Sequence, residues 1–153
     1  MSAVANYVAL TKPRILPLIL FSGLPALMLA GPSWPGPALT AWVLSGTILA
    51  AAAANALNSY LERKQDALMD RTRLRPLPAG QIRPGRALAF ALLLAGLGVG
   101  LLWFKAGMAP ALIAVAAIGV YVFIYTLWLK PRTPFAVIVG GISGAIAPLI
   151  ADA

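Results

Sequence analysis

Five long apolar runs divide the sequence and indicate its fold class. Each is close to the roughly 20 residues that a helix needs to cross the hydrocarbon core of a bilayer. The runs cover residues 15–31, 38–57, 87–104, 109–129 and 134–151. The first could instead be a signal peptide, but four further spans need no separate targeting segment. The pattern predicts an all-α, polytopic membrane bundle of about five transmembrane helices.

The segments between these runs alternate in charge. The segment 58–86 holds seven basic residues, whereas the turn 32–37 has none and the turn after residue 104 has only Lys105. Lys12 and Arg14 precede the first run, and Lys130 and Arg132 precede the last. Since basic residues concentrate on the cytoplasmic side, we expect a plasma (inner) membrane protein whose N-terminus, loop 58–86 and turn 130–132 face the cytoplasm.

Composition narrows the chemistry. Of 153 residues, 61% are hydrophobic and only 10% are charged, with a net charge of +8. The basic residues lie between apolar runs, so they indicate topology and contact with membrane lipid rather than nucleic acid. There is no cysteine and no histidine. Thiolate and imidazole chemistry are therefore excluded for these residues, which leaves carboxylates, Arg, Lys, Tyr, Ser and Asn.

Three of the four acidic residues follow the second apolar run at a regular spacing. With Asn58 they form the series Asn58, Glu62, Asp66 and Asp70. A step of four residues advances an α-helix by about 400°, so these side chains are predicted to share one face. We expect the helix of the second span to continue beyond the membrane and to present this face at the mouth of a cavity.

This series is followed directly by a cluster of arginines, including Arg71 and Arg75. Mg²⁺ takes one or two protein carboxylates together with phosphate and water oxygens, and arginine matches the geometry of phosphate. The combination suggests a lipid diphosphate as ligand. A solvated helix with i,i+4 charge pairs and ordinary topogenic arginines explains the same residues. The residues alone leave both interpretations open.

Two pairs of glycines have the spacing of close helix contacts. They are Gly96 with Gly100 and Gly140 with Gly144. Glycines four residues apart lie on one helix face and let two backbones approach. We therefore predict that both pairs serve packing within the bundle.

The block Asn58-xxx-Glu62-xxx-Asp66, followed by Met69-Asp70-Arg71-Thr72-xx-Arg75-Pro76-Leu77, resembles the first aspartate-rich motif of the UbiA-type intramembrane prenyltransferases. Within that superfamily it resembles the protoheme IX farnesyltransferases. The flanking stretches 7–14, 55–58 and 125–134 are similar to that branch as well.

The resemblance implies a reaction and a set of roles. Farnesyl diphosphate would lose its diphosphate with the help of Mg²⁺, and a vinyl group of haem B would capture the farnesyl group to give haem O. The residues implied for Mg²⁺ and catalysis are Asn58, Glu62 and Asp66, and those for the diphosphate are Arg71, Arg75 and Lys130. Lys12 and Arg14 are interpreted mainly as topology markers, and Tyr125 as an interfacial packing residue.

The family has nine spans and a second aspartate-rich motif, which this sequence does not contain. We therefore expect half of an enzyme, which is either a truncated or split product or a chain that dimerises to complete the cavity. Two other functions stay open. One is prenyl transfer to an aromatic or quinone precursor, and the other is a non-catalytic membrane protein whose basic loop binds anionic lipid or a partner.

Overall fold

A computed structural model describes residues 2–29, 34–130, 132 and 148–150 of the chain. These residues form helices and connecting turns, and no β-strand occurs among them. The helices are α1 (Ala3–Leu10), α2 (Leu16–Leu29), α3 (Pro37–Leu68), α4 (Pro84–Lys105), α5 (Met108–Gly119) and a π-helical segment (Val120–Leu129) that continues α5. The predicted all-α fold is confirmed.

In the part of the chain that the structure describes, three helical stretches are long and apolar enough to cross a membrane. They are α3, α4 and the continuous stretch Met108–Leu129, while α2 is apolar but has only 14 residues. Large apolar side chains such as Leu93, Leu97 and Phe123 are exposed on the outer faces of these helices. Lipid solvates such side chains, so the chain is a multi-pass membrane protein. The predicted fifth span lies outside the described residues, except for the helical residues 148–150.

Glycine and proline define where the long helices begin. Pro37 and Pro84 occupy the first positions of α3 and α4, where a missing N–H costs nothing. Gly36 and Gly107 precede α3 and α5 with φ of +91° and +113°, which side-chain-bearing residues rarely adopt. Helix α3 has 32 residues and is therefore about 48 Å long. It exceeds the roughly 30 Å of a bilayer core, so part of it projects beyond the membrane.

Helix α3 lies at the centre of the bundle and contacts α1, α2, α4, α5 and the π-helical segment. Its closest approach is to α4, at Gly46 and Gly98. A Cβ on Gly98 would lie 2.7 Å from the backbone nitrogen of Ala50, and one on Gly46 would lie 2.7 Å from Cγ of Leu102. Helices α3 and α4 therefore come into close contact at two glycines that face each other.

The predicted packing role of Gly96 and Gly100 stays a prediction, because the predicted fifth span lies outside the described residues. A Cβ at either position meets nothing within 4 Å among the described residues. The contact face of α4 instead runs through Gly98, because helix rotation is set by the whole apolar face and not by glycine spacing alone. Gly140 and Gly144 lie outside the described residues.

The segment between α3 and α4 folds back onto the end of the bundle. Its residues Leu77 and Ile82 are buried in a cluster with Leu10, Ala56 and Ala87. Thr72 is fully buried, and its hydroxyl donates to the carbonyl oxygen of Asp66 at 2.8 Å. This packing holds the arginine-containing segment against α1 and the C-terminal turns of α3, where the polar residues of the chain converge.

Candidate functional site

The polar residues at this end of the bundle are arranged around one face of α3. Asn58, Glu62 and Asp66 lie on successive turns of an unbroken helix, and all three side chains are buried. The i,i+4 spacing of these three therefore produces the shared face that the sequence predicts for them. We call this set the oxygen ladder.

Each member of the oxygen ladder contacts one cation, and each cation comes from a different segment. The cations belong to the α1–α2 turn, to the residue after the π-helical segment, and to the loop after α3. The contacts are Lys12 Nζ to Asn58 Oδ1 at 2.6 Å, Lys130 Nζ to Glu62 Oε1 at 2.5 Å, and Arg75 Nη1 to Asp66 Oδ2 at 2.9 Å. Segments up to 68 residues apart in sequence are thus joined by charge at one end of the bundle.

The acids and the cations differ in exposure. The side chain of Glu62 is 7% exposed and its partner Lys130 is 44% exposed. For Asp66 and Arg75 the values are 3% and 43%. The carboxylates are therefore fixed inside the protein, while the cations reach them from the open side. A ligand that enters from that side meets the cations first.

Lys12 is a site residue that sequence reasoning undervalued as a topology marker. Its backbone has φ of +53°, a left-handed conformation that is uncommon for lysine. Its ammonium donates a hydrogen bond to Oδ1 of Asn58. Burial lowers the pKa of Lys12 below the ordinary lysine value, and Arg75 and Lys130 act in the same direction while Glu62 and Asp66 oppose it. A signal was present in the sequence only as a charge next to the first apolar run.

Thr126 is a second residue that the sequence analysis missed. Its hydroxyl lies 3.1 Å from Nδ2 of Asn58 and donates to the carbonyl oxygen of Tyr121 at 2.8 Å. The π-helical segment runs beside α3 in the same direction, so Thr126 meets Asn58 one turn before Lys130 meets Glu62. Nothing in the apolar sequence around Thr126 marks this role. Nearby, Tyr125 stacks on Tyr121 at 5.2 Å between ring centroids.

The prediction that Asp70 shares the face of the oxygen ladder is wrong. Helix α3 ends at Leu68 and Met69 is extended, so the four-residue step no longer returns the chain to the same side. Asp70 is exposed and pairs with Arg73 at 3.4 Å. Arg71 is also exposed, and within the described ranges its side chain makes no polar contact with the oxygen ladder. Its predicted place beside the diphosphate stays a prediction.

A cavity of about 100 Å³ opens beside the oxygen ladder. Lys12, Ser59, Asp66 and Arg75 line its polar side, and apolar residues including Leu10 and Leu77 line the rest. It has room for water or for the oxygens of a small anion. Two cations and one buried carboxylate thus face a single space at the end of the bundle.

The oxygen ladder fits Mg²⁺ only in part. Among the described residues, no three His, Cys, Asp or Glu side chains are grouped so that they could hold a metal. Glu62, Asp66 and the amide oxygen of Asn58 are nevertheless hard oxygen donors, and Mg²⁺ commonly uses one or two carboxylates and completes its shell with phosphate and water. The donor set suits a metal that arrives together with a phosphate ligand.

A comparison with known proteins shows the family to which the chain belongs. Residues 19–153 match the UbiA prenyltransferase family, and the chain belongs to that family. It is 44% identical over 92% of its length to a protoheme IX farnesyltransferase of Leptospira biflexa. It is 42% identical over 95% of its length to that of Acidiphilium cryptum, and 44% identical over 97% to that of Gloeobacter violaceus. The chain covers 50%, 45% and 49% of these relatives, about half of each.

Proposed function

We propose that the charged end of this bundle binds the Mg²⁺ complex of farnesyl diphosphate, and that the chain takes part in transferring the farnesyl group to a vinyl group of haem B to give haem O. The family and the names of the relatives support this proposal. The observation that carries it is the pairing of the oxygen ladder with three cations from three segments, because a metal diphosphate needs both sets of groups in one place.

The two buried ion pairs explain how both sets of charges could be accommodated. Arg75 and Lys130 neutralise the buried carboxylates of Asp66 and Glu62. A magnesium diphosphate brings positive charge for the carboxylates and negative oxygens for the cations. Because the cations are half-exposed and have long flexible side chains, they can turn onto the phosphate oxygens while the acids stay in place.

The proposed reaction breaks the bond between C1 of the farnesyl group and the diphosphate oxygen, and the diphosphate leaves with the bonding electron pair. A vinyl carbon of haem B bonds to C1, and water adds a hydroxyl to the neighbouring carbon and releases a proton. Lys12, Arg75 and Lys130 would donate hydrogen bonds to the departing oxygens, where negative charge develops. Bound Mg²⁺ would supply further charge stabilisation there.

We also propose a location. The cations that contact the oxygen ladder lie at the end of the bundle that holds loop 69–83, whereas Lys105 lies near Trp42, at the end where α3 begins. The basic end would face the cytoplasm of a plasma (inner) membrane protein. The farnesyl chain would then run from the charged end along the apolar helices.

The first experiment measures binding. The full chain in lipid vesicles is incubated with labelled farnesyl diphosphate, in Mg²⁺ and in chelator, and retained ligand is counted. We expect Glu62→Gln and Asp66→Asn to weaken the Mg²⁺-dependent binding by about tenfold to a hundredfold. Asp70→Asn is the matched control, since it removes an equal charge from an exposed position, and it should change binding less than about twofold. Equal effects of all three would refute the site.

The second experiment identifies the acceptor. The same vesicles are given farnesyl diphosphate with haem B or with an aromatic acid, and products are identified by mass. Haem O is the expected product. A prenylated aromatic compound alone would reassign the acceptor, and no Mg²⁺-dependent retention of the diphosphate at all would support a loop that only binds lipid or a partner.

A further inference from the structure

Asn58 is as enclosed as Asp66, and among the described residues it is the member of the oxygen ladder that hydrogen-bonds two other side chains. Only 2% of the residue is exposed. Its Oδ1 accepts a hydrogen bond from Lys12, and its Nδ2 faces the hydroxyl of Thr126. An amide carries a donor and an acceptor on opposite sides, so its orientation decides which of them meets a ligand. For Asn58, only the oxygen can bind a metal.

We propose that Thr126 is a positioning residue that orients the amide of Asn58, so that its oxygen faces the oxygen ladder and the incoming ligand. This inference rests on the proposed function. Thr126 itself would touch neither substrate nor metal and would act only through Asn58.

The hydrogen-bond pattern determines the orientation. The hydroxyl of Thr126 has one proton, and it donates that proton to the carbonyl oxygen of Tyr121, a group that can only accept. The hydroxyl oxygen is then left as an acceptor towards Asn58. Only the NH₂ group of the amide can satisfy it, which turns Oδ1 to the opposite side, where Lys12 is found.

The π-helical segment makes this pattern different from that of other helical hydroxyls in the chain. Ser22, Thr47 and Ser59 each donate to the carbonyl four residues earlier, as is usual for an α-helix. Thr126 donates to the carbonyl five residues earlier, in the wider turn of the π-helix. The side chain is thereby held by its own segment while its lone pair faces α3.

Replacing the hydroxyl should release the amide. In Thr126→Val a methyl group takes the place of the oxygen, so the buried NH₂ of Asn58 loses its acceptor. The amide can then turn its NH₂ towards Lys12 and the ligand, where it repels cations. Partners of metal ligands typically contribute tenfold to a hundredfold to affinity. We expect Mg²⁺-dependent retention of farnesyl diphosphate to weaken about tenfold, with little change in chelator.

The experiment compares variants of the full chain in vesicles, and uses retention of labelled farnesyl diphosphate with Mg²⁺ or chelator as the readout. Thr126→Ser keeps the hydroxyl and should stay within about threefold of the unmodified chain. Thr47→Val is the matched control, because Thr47 is equally buried and hydrogen-bonded but contacts no member of the oxygen ladder. Thr126→Ala removes the hydroxyl without placing a methyl group there, and it gives the same comparison should the valine variant fold poorly, as judged by thermal unfolding.

A second set of variants, made in Asn58→Asp, separates an effect of Thr126 on the orientation of residue 58 from an effect on packing. In Asn58→Asp the side chain has two equivalent oxygens and needs no orientation, so adding Thr126→Val should change the remaining Mg²⁺-dependent binding less than about twofold. The proposal is overturned if Thr126→Val and Thr47→Val behave alike, if Thr126→Ser loses as much as Thr126→Val, or if the loss persists in Asn58→Asp.

The Glu62→Gln variant separates a failure of this inference from a failure of the proposed function. If Glu62→Gln abolishes Mg²⁺-dependent binding while Thr126→Val leaves it intact, this inference fails alone. If Glu62→Gln also leaves it intact, the proposed function fails with it.

Discussion

Two acid–arginine pairs lie within ten residues of each other, and they differ in almost every physical respect. In the pair Asp66–Arg75 the acid is 3% exposed and the two charges are 2.9 Å apart. In the pair Asp70–Arg73 the side chains are 95% and 62% exposed and the charges are 3.4 Å apart. The acid of the first pair belongs to the oxygen ladder and both of its residues border the cavity, while the second pair lies on the loop surface.

The difference shows that the charged residues of one short segment occupy very different environments. Water screens the exposed pair, and such pairs contribute about 0–1 kcal/mol. The buried acid cannot be solvated, so it needs a partner in every state of the protein, either Arg75 or a metal. A group that must exchange one partner for another is suited to bind a ligand, whereas a group that is satisfied by water is not.

The largest expected effect concerns the two arginines. Arg75→Gln should weaken binding of farnesyl diphosphate in Mg²⁺ by about tenfold to a hundredfold, since a hydrogen bond to a charged group contributes about 1.5–3 kcal/mol. Arg73→Gln removes the same charge from the loop surface and should change affinity less than about twofold. Equilibrium retention on vesicles measures both. Comparable losses would show that the loop acts only through its total charge.

The next effect concerns stability. A double-mutant cycle with Asp66→Asn and Arg75→Gln should give a coupling energy of about 1–2 kcal/mol, reduced from the value for a fully buried pair because Arg75 is half-exposed. The cycle with Asp70→Asn and Arg73→Gln should give less than about 0.5 kcal/mol. Thermal unfolding in detergent without ligand supplies the four values for each cycle. A coupling in the exposed pair as large as in the buried pair would contradict the comparison.

The smallest effect extends the comparison to Lys12, whose pKa is lowered by burial below the ordinary value of 10.5. Because burial favours the neutral amine, Lys12 should lose its proton below the ordinary lysine pKa, and diphosphate affinity should fall a few-fold over that range. The exposed Lys64 provides the control position. Lys12→Arg stays charged and should remove this alkaline decline, and Lys64→Arg should not. Binding curves over pH test this.

The lowered pKa of Lys12 should affect stability in the opposite direction to affinity. The folded protein binds the Lys12 proton less tightly than the unfolded chain does, so the cost of burying this charge is present at lower pH. That cost disappears as the pH rises from the folded pKa towards 10.5, and the free energy of unfolding should rise with it. A fall in that contribution, measured against Lys12→Arg, would show that the ammonium is stabilised rather than desolvated.

Some features of the site could be predicted because they depend on local geometry. The step of four residues predicts a shared face for Asn58, Glu62 and Asp66. The three share that face because α3 stays helical as far as Leu68. The same rule fails at Asp70, because the rule holds only while the helix continues. At Gly96 and Gly100 the spacing is right but neither glycine meets α3, so their packing within the bundle stays a prediction.

The sequence by itself determined the membrane class, the helical fold and the positions of the acids, because apolar length and helix periodicity act over one or a few turns. The family resemblance already named Arg75 and Lys130, but only the tertiary structure shows that these two contact the oxygen ladder and that Lys12 joins them. Lys12, Arg75 and Lys130 are separated by up to 118 residues in sequence (130 − 12), and each meets the oxygen ladder because α1, the loop and the π-helical segment pack at one end of α3. A buried carboxylate selects its partner by distance in space, which no local pattern records.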